Sequence, residues 1–318
     1  MCECGAARGL RAAIATPTPP PPRRMSTELA LRVLAEARAL GAREVIPSTM
    51  GEPLLWSGLD ALLERAGELG LRVNVTTNGT FPGRGAAGWA ARLLPVASDV
   101  KVSWNGATAA TAEAIMPGLD FAEARANLRA LVAARDALAR AGGRRAGITL
   151  QVTAQEENVA ELAGIVRLAG ELGVDRVKLN QLQPRLPGLA ERSLRRSPEA
   201  ITRWNAAVRA AREEADRLRA AGHPLDLQNA LELAPDPEDV APRGPCPFVG
   251  REAWVHADGR FAPCPHPEAA RGGLGDFGSV AAQPLAEIWS GNGFRSFVAR
   301  WEEHAVCRVC PFRRPGGA

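Results

Sequence analysis

Four of the six cysteines lie near the carboxyl end of the chain, where they could together ligate a metal centre. A segment typical of a β-hairpin separates Cys246 from Cys264, and Cys307 and Cys310 form the sequence CRVC. Four thiolates can close a tetrahedral zinc site or hold the corners of an iron–sulfur cluster. Zinc ribbons usually carry two C-x2-C knuckles, whereas the first pair here spans eighteen positions. This spacing favours a cluster and leaves open a structural zinc or four unrelated cysteines.

A second group of polar residues follows the predicted strands of the larger part of the chain. They occur in the sequences PSTMGEPLLW, TTNGT, SWNGAT, QVTAQEEN and LNQLQP. Because ligands of parallel α/β sheets and barrels bind at the carboxyl ends of strands, this pattern predicts a small-molecule site. Each residue alone has a simpler interpretation. Asn78 and Asn105 precede glycines as in ordinary turns, and Glu52 could be a solvated loop charge.

From residue 26 onward, amphipathic helices alternate with short apolar runs. The predicted helices cover residues 26–40, with Ser26 as N-cap, and residues 58–69, 86–94, 121–141, 159–172 and 198–220. The predicted strands are REVIPS, LRVNVTT, DVKVSW, GITLQVT and DRVKLNQL. This alternation is typical of an α/β fold with parallel strands and outer helices, and it favours a complete or partial barrel.

The Pro-rich segment APDPEDVAPRGPCPF predicts a domain boundary near residues 235–245. We therefore expect a larger domain over 1–235 and a small cysteine-rich domain over 236–318. The formal charge is only +4, and the basic residues are spread along the helices, which argues against a nucleic-acid partner. No run of about 18 apolar residues and no signal-peptide pattern is present, so we expect a cytoplasmic protein without a membrane partner.

The order of these pieces resembles the radical S-adenosylmethionine (radical SAM) enzymes that carry a C-terminal SPASM or twitch domain. MGEP at 50–53 looks like the G-G-E-P motif of that family, with Met50 in place of the first glycine. TTNGT and SWNGAT look like the ends of its third and fourth strands. The resemblance implies a partial (β/α)6 radical SAM barrel that lacks its first strand, followed by the small cysteine-rich domain.

The resemblance also implies the residues that bind S-adenosylmethionine (SAM). MGEP would hold the amino group of SAM, Ser103 and Asn105 would lie near the ribose, and Thr153 would lie near the methionyl carboxylate. Asn105 stands where the family usually has Asp. The complete implied set is Gly51, Glu52, Pro53, Thr77, Asn78, Ser103, Asn105 and Thr153.

The C-terminal part is similar to the SPASM opening C-x(9–15)-G-x4-C, with Gly259 as the glycine between Cys246 and Cys264. LAEIWSGNGFRSF looks like the linker of those domains, and CRVC follows where their next ligands lie. No cysteine follows Cys310, which is more similar to the abbreviated twitch form. The resemblance therefore implies one auxiliary [4Fe–4S] cluster on Cys246, Cys264, Cys307 and Cys310.

The opening MCECG is similar to the end of the C-x3-C-x2-C motif, which holds the SAM-binding [4Fe–4S] cluster in the family. Only Cys2 can be its third cysteine, with Met1 as the apolar residue before it, and Cys4 is then a bystander. The first two cysteines and the first strand are absent from the sequence as written. We therefore expect that Met1 is an internal residue of a longer reading frame or that the chain was truncated.

The resemblance implies a radical SAM oxidoreductase or maturase, which cleaves SAM to a 5′-deoxyadenosyl radical that abstracts hydrogen from a small-molecule or peptide substrate. An electron donor such as ferredoxin or flavodoxin would be a partner, and the auxiliary cluster would accept an electron from the substrate radical. Asn180, Gln181 and Gln183 could face the substrate, whereas His256 and His266 are expected to be turn residues.

Two other hypotheses compete with this one. The protein could be a non-catalytic, degenerate family member that binds only the C-terminal cluster or zinc. It could also be a zinc-tailed protein whose barrel performs unrelated chemistry. Iron and sulfide assays after anaerobic reconstitution separate the three hypotheses as two clusters, one cluster, or zinc alone.

The first prediction concerns the DNA upstream of codon 1. We expect codons for Cys two and six residues before Met1, preceded by an apolar strand. The extended chain should then form 5′-deoxyadenosine from SAM with a reductant, whereas the 318-residue chain should not. An in-frame stop codon immediately upstream, without these cysteines, would favour the degenerate family member.

Overall fold

The computed structural model describes residues 24–47, 51–184, 187–234 and 244–313. These residues cluster into two compact units. The first unit contains the described residues from 44 to 234, and the second contains residues 24–43 together with 244–313. None of the helices in these ranges combines the length and the apolar character that a membrane span requires.

A parallel sheet is the centre of the first unit. In the described residues its strands are β1 (Glu44–Val45), β2 (Arg72–Thr77), β3 (Ala97–Ser103), β4 (Gly147–Ala154), β5 (Arg176–Gln181) and β6 (Asp226–Gln228). They are neighbours in chain order, and every adjacent pair is parallel. This confirms the predicted α/β class and its five predicted strands. The sixth strand, β6, was not predicted, because three residues without apolar alternation carry almost no strand signal.

The α-helices of the described residues belong to both units. In chain order the helices of the described residues are α1 (Thr27–Ala39), α2 (Leu59–Glu68), α3 (Gly85–Leu93), α4 (Ala109–Ile115), α5 (Phe121–Arg140), α6 (Leu162–Glu171), α7 (Pro198–Ala220), α8 (Pro267–Ala270), α9 (Leu285–Ser290), α10 (Asn292–Arg300) and α11 (Ala305–Arg308). The predicted N-cap Ser26 is confirmed, since its hydroxyl accepts from the Leu29 amide at 3.2 Å. Asp120 and Ser197 cap α5 and α7 in the same way.

The two faces of the sheet differ in polarity. Val100 and Val102 of β3, Leu150 of β4, and Val177 and Leu179 of β5 are each at most 2% exposed. Because successive strand residues point to opposite faces, the residues between them share the other face. On the central strands these are Lys101, Ser103, Thr149, Gln151, Thr153, Arg176, Lys178 and Asn180. The sheet therefore has one apolar face in the core and one polar face.

Helix α1 belongs to the second unit. Its side chains Leu29, Val33 and Ala37 pack on an apolar cluster formed by Phe261, Val280, Leu285, Ile288 and Phe294. The predicted domain boundary near residues 235–245 places this helix in the domain over 1–235. The structure instead packs it with C-terminal residues, because the cluster buries the apolar stripe of the helix.

Two hydrogen bonds between side chains of α1 and the C-terminal backbone accompany this packing. Arg32 donates to the Val280 carbonyl at 2.5 Å, and the Glu36 carboxylate accepts from the Leu285 amide at 2.7 Å. A sequence pattern shows that α1 has an apolar stripe, but it does not show which surface covers that stripe.

The second unit also contains an antiparallel hairpin, formed by β7 (Trp254–Val255) and β8 (Phe261–Ala262). Gly259 lies in its turn with φ +86°. A Cβ atom at this position would lie 2.9 Å from the Ala281 Cβ and 3.0 Å from the Ala281 amide nitrogen. The turn therefore requires glycine both for its backbone conformation and for the close approach of the chain.

A substitution at Gly259 tests this requirement against a matched control. Gly259→Ala should destabilise the protein by more than about 2 kcal/mol, because a left-handed alanine costs ~1 kcal/mol and the collision adds to it. Gly272 has φ +83° and nothing within 4 Å of an added Cβ. Gly272→Ala should therefore cost only the ~1 kcal/mol of the left-handed conformation. Equilibrium urea unfolding of both variants measures the difference. Equal losses of stability would contradict the close approach.

Candidate functional site

The carboxylate of Glu52 joins a loop to the carboxyl end of β2. Its Oε1 accepts from the Leu54 amide at 3.2 Å, which caps the 3-10 helix Pro53–Leu55, and from the Thr77 hydroxyl at 2.9 Å. Its Oε2 accepts from the Asn78 amide at 2.7 Å. The structure thus brings three of the predicted SAM-site residues into direct contact at one strand end.

The surroundings of Glu52 suit a bound cation. Burial raises the pKa of its carboxyl above the ordinary value, although the hydrogen bonds from Asn78, Thr77 and Leu54 oppose that rise. Within the described residues, no Lys, Arg or His nitrogen lies within 4.0 Å of the carboxylate. A carboxylate has about four acceptor positions, so the three bonds from the chain leave room for one more donor. A ligand ammonium here would restore the charged form that burial disfavours.

A second network joins the carboxyl ends of β3 and β4. Asn105 is 9% exposed, and its Oδ1 accepts from the Thr153 amide at 2.8 Å. The side chain of Asn158, fully buried, donates to the Asn105 and Thr153 carbonyls, both at 3.0 Å. These bonds hold the two strand ends in a defined position. The sequence QVTAQEEN ends in Asn158, but nothing in its pattern marks this residue as part of a site.

Gln155 lies beside this network with its side chain fully buried. Neither its Oε1 nor its Nε2 has a hydrogen-bond partner, and the indole nitrogen of Trp104 has none either. A buried polar group without a partner costs about 1–3 kcal/mol. Such atoms next to the strand ends fit a site that a polar ligand completes.

The remaining predicted SAM-site residues are distributed over the same strand ends. Ser103 ends β3 on the polar face, opposite Gln151. Gly51 has φ +80°, and Pro53 begins the 3-10 helix. Met1, Cys2, Cys4 and Met50 lie outside the described residues.

The two amides suggested to face the substrate on β5 lie on opposite faces of the sheet. Asn180 is on the polar face, where its Oδ1 accepts from the Asn229 side chain at 3.2 Å. Gln181 follows it and therefore points to the other face, where its Oε1 accepts from Arg195 at 2.6 Å. The strand thus separates these two amides, because adjacent residues of a strand alternate between faces.

All four described cysteines line one cavity of the second unit. The cavity is small, with a volume of about 10 Å³. Its remaining walls are mostly apolar and are formed by Phe248, Val249, Leu274, Trp301, Val306 and Phe312, with His266 and Arg313 as the polar members. The four thiols are free of disulfide bonds.

Different elements position the four thiols. Cys246 lies in a turn, where its sulfur accepts from the Val249 amide at 3.5 Å, and Cys264 follows β8. Cys307 lies in α11, and the Cys310 amide bonds to its carbonyl at 3.3 Å. The hairpin and the last helix therefore present their thiols to the same space.

Burial raises the pKa of the thiols of Cys264, Cys307 and Cys310. Burial, together with the charges of Cys246, Cys307 and Cys310, raises the pKa of Cys264 to about 12. Burial likewise raises the pKa of Cys307 to about 11. Thiols with raised pKa values, such as those of Cys264 and Cys307, stay protonated until a metal centre replaces their protons.

Four cysteine thiols around one space fit an iron–sulfur cluster or a zinc ion by ligand type. In the described ranges, no three or more His, Cys, Asp or Glu side chains are close enough together to hold one metal ion. A single zinc ion needs every sulfur at about 2.3 Å. A [4Fe–4S] cluster is likewise held by four Cys thiolates.

The charged and polar neighbours are consistent with that fit. Burial raises the pKa of Cys307 and Cys310, and the positive charge of Arg313 opposes that rise, as suits an anionic cluster. The Nδ1 of His266 accepts from the Glu268 amide at 3.1 Å and thereby caps α8. This hydrogen bond occupies one of the two ring nitrogens that could ligate a metal.

Comparison with known proteins gives concordant results. Residues 2–169 match the model of the radical SAM superfamily, and residues 246–311 match SPASM, described as an iron–sulfur cluster-binding domain. The chain is 30% identical over 287 residues to a PqqA peptide cyclase of Streptomyces rochei. That alignment covers 88% of this chain and 71% of the relative.

Solved structures show the same fold. The crystal structure of Streptococcus suis SuiB bound to S-adenosylmethionine matches with a TM-score of 0.62 at 12% identity, over 92% of this chain and 69% of that one. SuiB bound to its precursor peptide SuiA matches with a TM-score of 0.60 at 13% identity, over 94% of this chain and 65% of that one. With the two family matches and the fold in agreement, this chain belongs to the radical SAM superfamily and carries a SPASM iron–sulfur cluster-binding domain.

Proposed function

We propose that this protein is a radical SAM oxidoreductase or maturase that abstracts a hydrogen atom from a peptide. Its family uses SAM and [4Fe–4S] clusters, which are accordingly its cofactors. The observation that carries the proposal is the buried Glu52 carboxylate, held at the end of β2 with an acceptor position left open. A peptide substrate is supported by the relative named PqqA peptide cyclase and by SuiB, which binds the precursor peptide SuiA.

When bound, the SAM-binding cluster supplies the electron that cleaves SAM, and the resulting 5′-deoxyadenosyl radical abstracts hydrogen. The chain's own part is to bind and orient the cofactor. Glu52 would hold the ammonium group of SAM, and Thr77 and Asn78 hold Glu52 in place. Ser103 and Asn105 would lie near the ribose and Thr153 near the carboxylate. Because Oδ1 of Asn105 already accepts from Thr153, its contact with a ribose hydroxyl would use the amide nitrogen.

Cys246, Cys264, Cys307 and Cys310 would ligate an auxiliary [4Fe–4S] cluster in the cavity that they line. A cluster held by these four thiolates would supply a one-electron acceptor, as an oxidation of the substrate requires. A ferredoxin or flavodoxin would supply the electron that starts the reaction. A cytoplasmic location is part of the same proposal, because reduced thiols and such donors occur together in that compartment.

The auxiliary cluster is tested at its last cysteine. Cys310→Ala should lower the iron and sulfide content of anaerobically reconstituted protein by one cluster's complement. It should also destabilise the second unit, because metal binding there is coupled to folding. Val309→Ala is the matched control, since this neighbouring side chain is 67% exposed and should leave the iron content unchanged. Full iron and unchanged stability in Cys310→Ala would contradict the assigned ligand.

The SAM site is tested at Glu52. In the extended chain, which has all three cysteines of the SAM-binding cluster, Glu52→Gln should weaken SAM binding to the reconstituted protein roughly tenfold or more, because it replaces a charged acceptor by a neutral amide. Since burial raises the pKa of Glu52, binding by the unsubstituted protein should weaken already at mildly acidic pH, where the carboxyl gains a proton. Binding by Glu52→Gln should lack this pH dependence. Equilibrium dialysis with labelled SAM measures both effects.

Thr77→Val is the matched control for Glu52→Gln. It removes one hydrogen bond to Glu52 and keeps the carboxylate, so SAM binding should fall much less. Circular dichroism checks that both variants fold. Iron content checks that both bind the same amount of iron–sulfur cluster. If the two substitutions weakened binding alike, Glu52 would have a structural role and the proposed contact with SAM would be wrong.

A further inference from the structure

The loop after β3, residues 104–108, is held by a carboxylate from the segment that follows β4. Oε2 of Glu161 accepts from the amides of Ala107 at 2.6 Å and Thr108 at 3.2 Å. Its Oε1 accepts from the hydroxyls of Thr108 at 2.9 Å and Thr111 at 2.6 Å. This one side chain therefore receives four hydrogen bonds, two at each oxygen.

These hydrogen bonds favour the charged form of the Glu161 carboxyl. Burial alone would raise its pKa, but the bonds from Thr111, Ala107 and Thr108 together lower the pKa below the ordinary value. Among the described residues, no Lys, Arg or His nitrogen lies within 4.0 Å of this carboxylate. Its described partners therefore belong to the loop and to the first turn of α4.

Close packing accompanies the hydrogen bonds. A Cβ atom at Gly164 of α6 would lie 2.9 Å from the Cβ of Ala107. A Cβ atom at Gly106 would lie 2.6 Å from the amide nitrogen of Ala112 in α4. Because both positions are glycine, the loop packs directly against α4 and against α6.

The same loop carries Asn105, the residue expected near the ribose of SAM. Its Oδ1 accepts from the Thr153 amide at 2.8 Å, which leaves its amide nitrogen for a ligand. Only Gly106 separates Asn105 from Ala107. Since glycine adopts more backbone conformations than other residues, the direction of the Asn105 side chain also depends on the chain beyond this glycine. Glu161 fixes the chain there.

Helix capping alone does not account for this arrangement. The N-cap of α4 is Thr108, and its own hydroxyl accepts from the Thr111 amide at 3.4 Å. The amide of Ala107 precedes this N-cap, so its 2.6 Å bond to Glu161 holds the loop and not the helix. The carboxylate therefore does more than stabilise the end of a short helix.

We propose that Glu161 is a positioning residue, which holds the loop 104–108 so that the amide nitrogen of Asn105 reaches a ribose hydroxyl of SAM. The inference rests on the proposed function for the identity of the ligand. In this role Glu161 acts through Asn105 and makes no contact of its own with SAM. Loss of its carboxylate should weaken the contact with the ribose and leave the contact between Glu52 and the ammonium group unchanged.

Two substitutions test whether Glu161 holds the loop. Glu161→Ala removes all four hydrogen bonds. Glu161→Gln can keep them, because its oxygen can accept from the two amides while its nitrogen donates to the threonine hydroxyls, which also accept. In the 318-residue chain, hydrogen exchange at the amides of Ala107 and Thr108 should be roughly tenfold faster in Glu161→Ala and unchanged in Glu161→Gln.

Two partial ligands test whether the loop acts on the ribose. 5′-Deoxyadenosine carries the ribose of SAM without its ammonium group, and methionine carries the ammonium and carboxylate groups without the ribose. In the extended, reconstituted chain, Glu161→Ala should weaken binding of 5′-deoxyadenosine roughly fivefold, because one hydrogen bond is lost, and should not affect methionine. Glu52→Gln should weaken methionine binding and not affect 5′-deoxyadenosine. Equilibrium dialysis with labelled ligands measures both affinities.

The conservative and control variants complete the experiment. Glu161→Gln should bind 5′-deoxyadenosine as the unsubstituted chain does. Thr111→Val removes one of the four hydrogen bonds and keeps the carboxylate, so both affinities should stay nearly unchanged. Equal weakening of both ligands by Glu161→Ala would show a general effect on the fold and would overturn the proposal. Unchanged binding of 5′-deoxyadenosine in Glu161→Ala, or no recovery in Glu161→Gln, would overturn it as well.

Failure of the proposed function gives a different result. The unsubstituted extended chain would then bind neither SAM nor either partial ligand, and the contact with a ribose would be wrong too. Hydrogen exchange would still decide whether Glu161 holds the loop, because that measurement requires neither a cluster nor a ligand. If Glu52→Gln weakened SAM binding while Glu161→Ala did not, only the positioning role of Glu161 would be contradicted.

Discussion

The parallel register of β2 to β5 is the constraint on which the functional part of the first unit depends. Each strand contributes alternate side chains to the same polar face, and the strands end at the same edge. A shift of one residue in any pair would move Val100, Leu150 or Val177 out of the core. The free energy of burying these apolar residues therefore also determines where Ser103, Gln151 and Lys178 lie.

Hydrogen bonds complete the strand ends that the register brings together. Glu52 accepts three of them and joins its loop to β2, while Asn105 and Asn158 join β3 to β4. These groups are largely buried, so losing one partner would leave the other unsatisfied at a cost of about 1–3 kcal/mol. Gln155 is the exception, since both polar atoms of its side chain lack a partner. The hydrogen bonds hold the strand ends in place before a ligand arrives, and the side chain of Gln155 is left to bond to that ligand. A ligand can therefore bind with little reorganisation of the site.

In the second unit, by contrast, apolar side chains surround ionisable groups. Cys264 and Cys307 belong to an apolar cluster with Ala262, Ala269 and Leu274. Burial there disfavours the thiolates, so folding alone leaves the cavity with protonated thiols. A metal centre would supply the positive charge that makes four thiolates stable together. Fold and cofactor are therefore energetically coupled in this unit.

The sequence by itself determined the local elements and the residue types of the site. Three local features predict their elements: the cap at Ser26, the apolar periodicity of α5 and the alternating valines of β3. Each acts over a few neighbouring residues, so its effect is visible in the pattern. The spacing of Cys246, Gly259 and Cys264 likewise reflects a hairpin of limited length. The tertiary structure decided which surface covers α1, that β6 extends the sheet, and that Asn180 and Gln181 face opposite sides. It also decided that Glu161 holds the loop after β3, because contacts between residues distant in the chain depend on register and packing that no local pattern encodes.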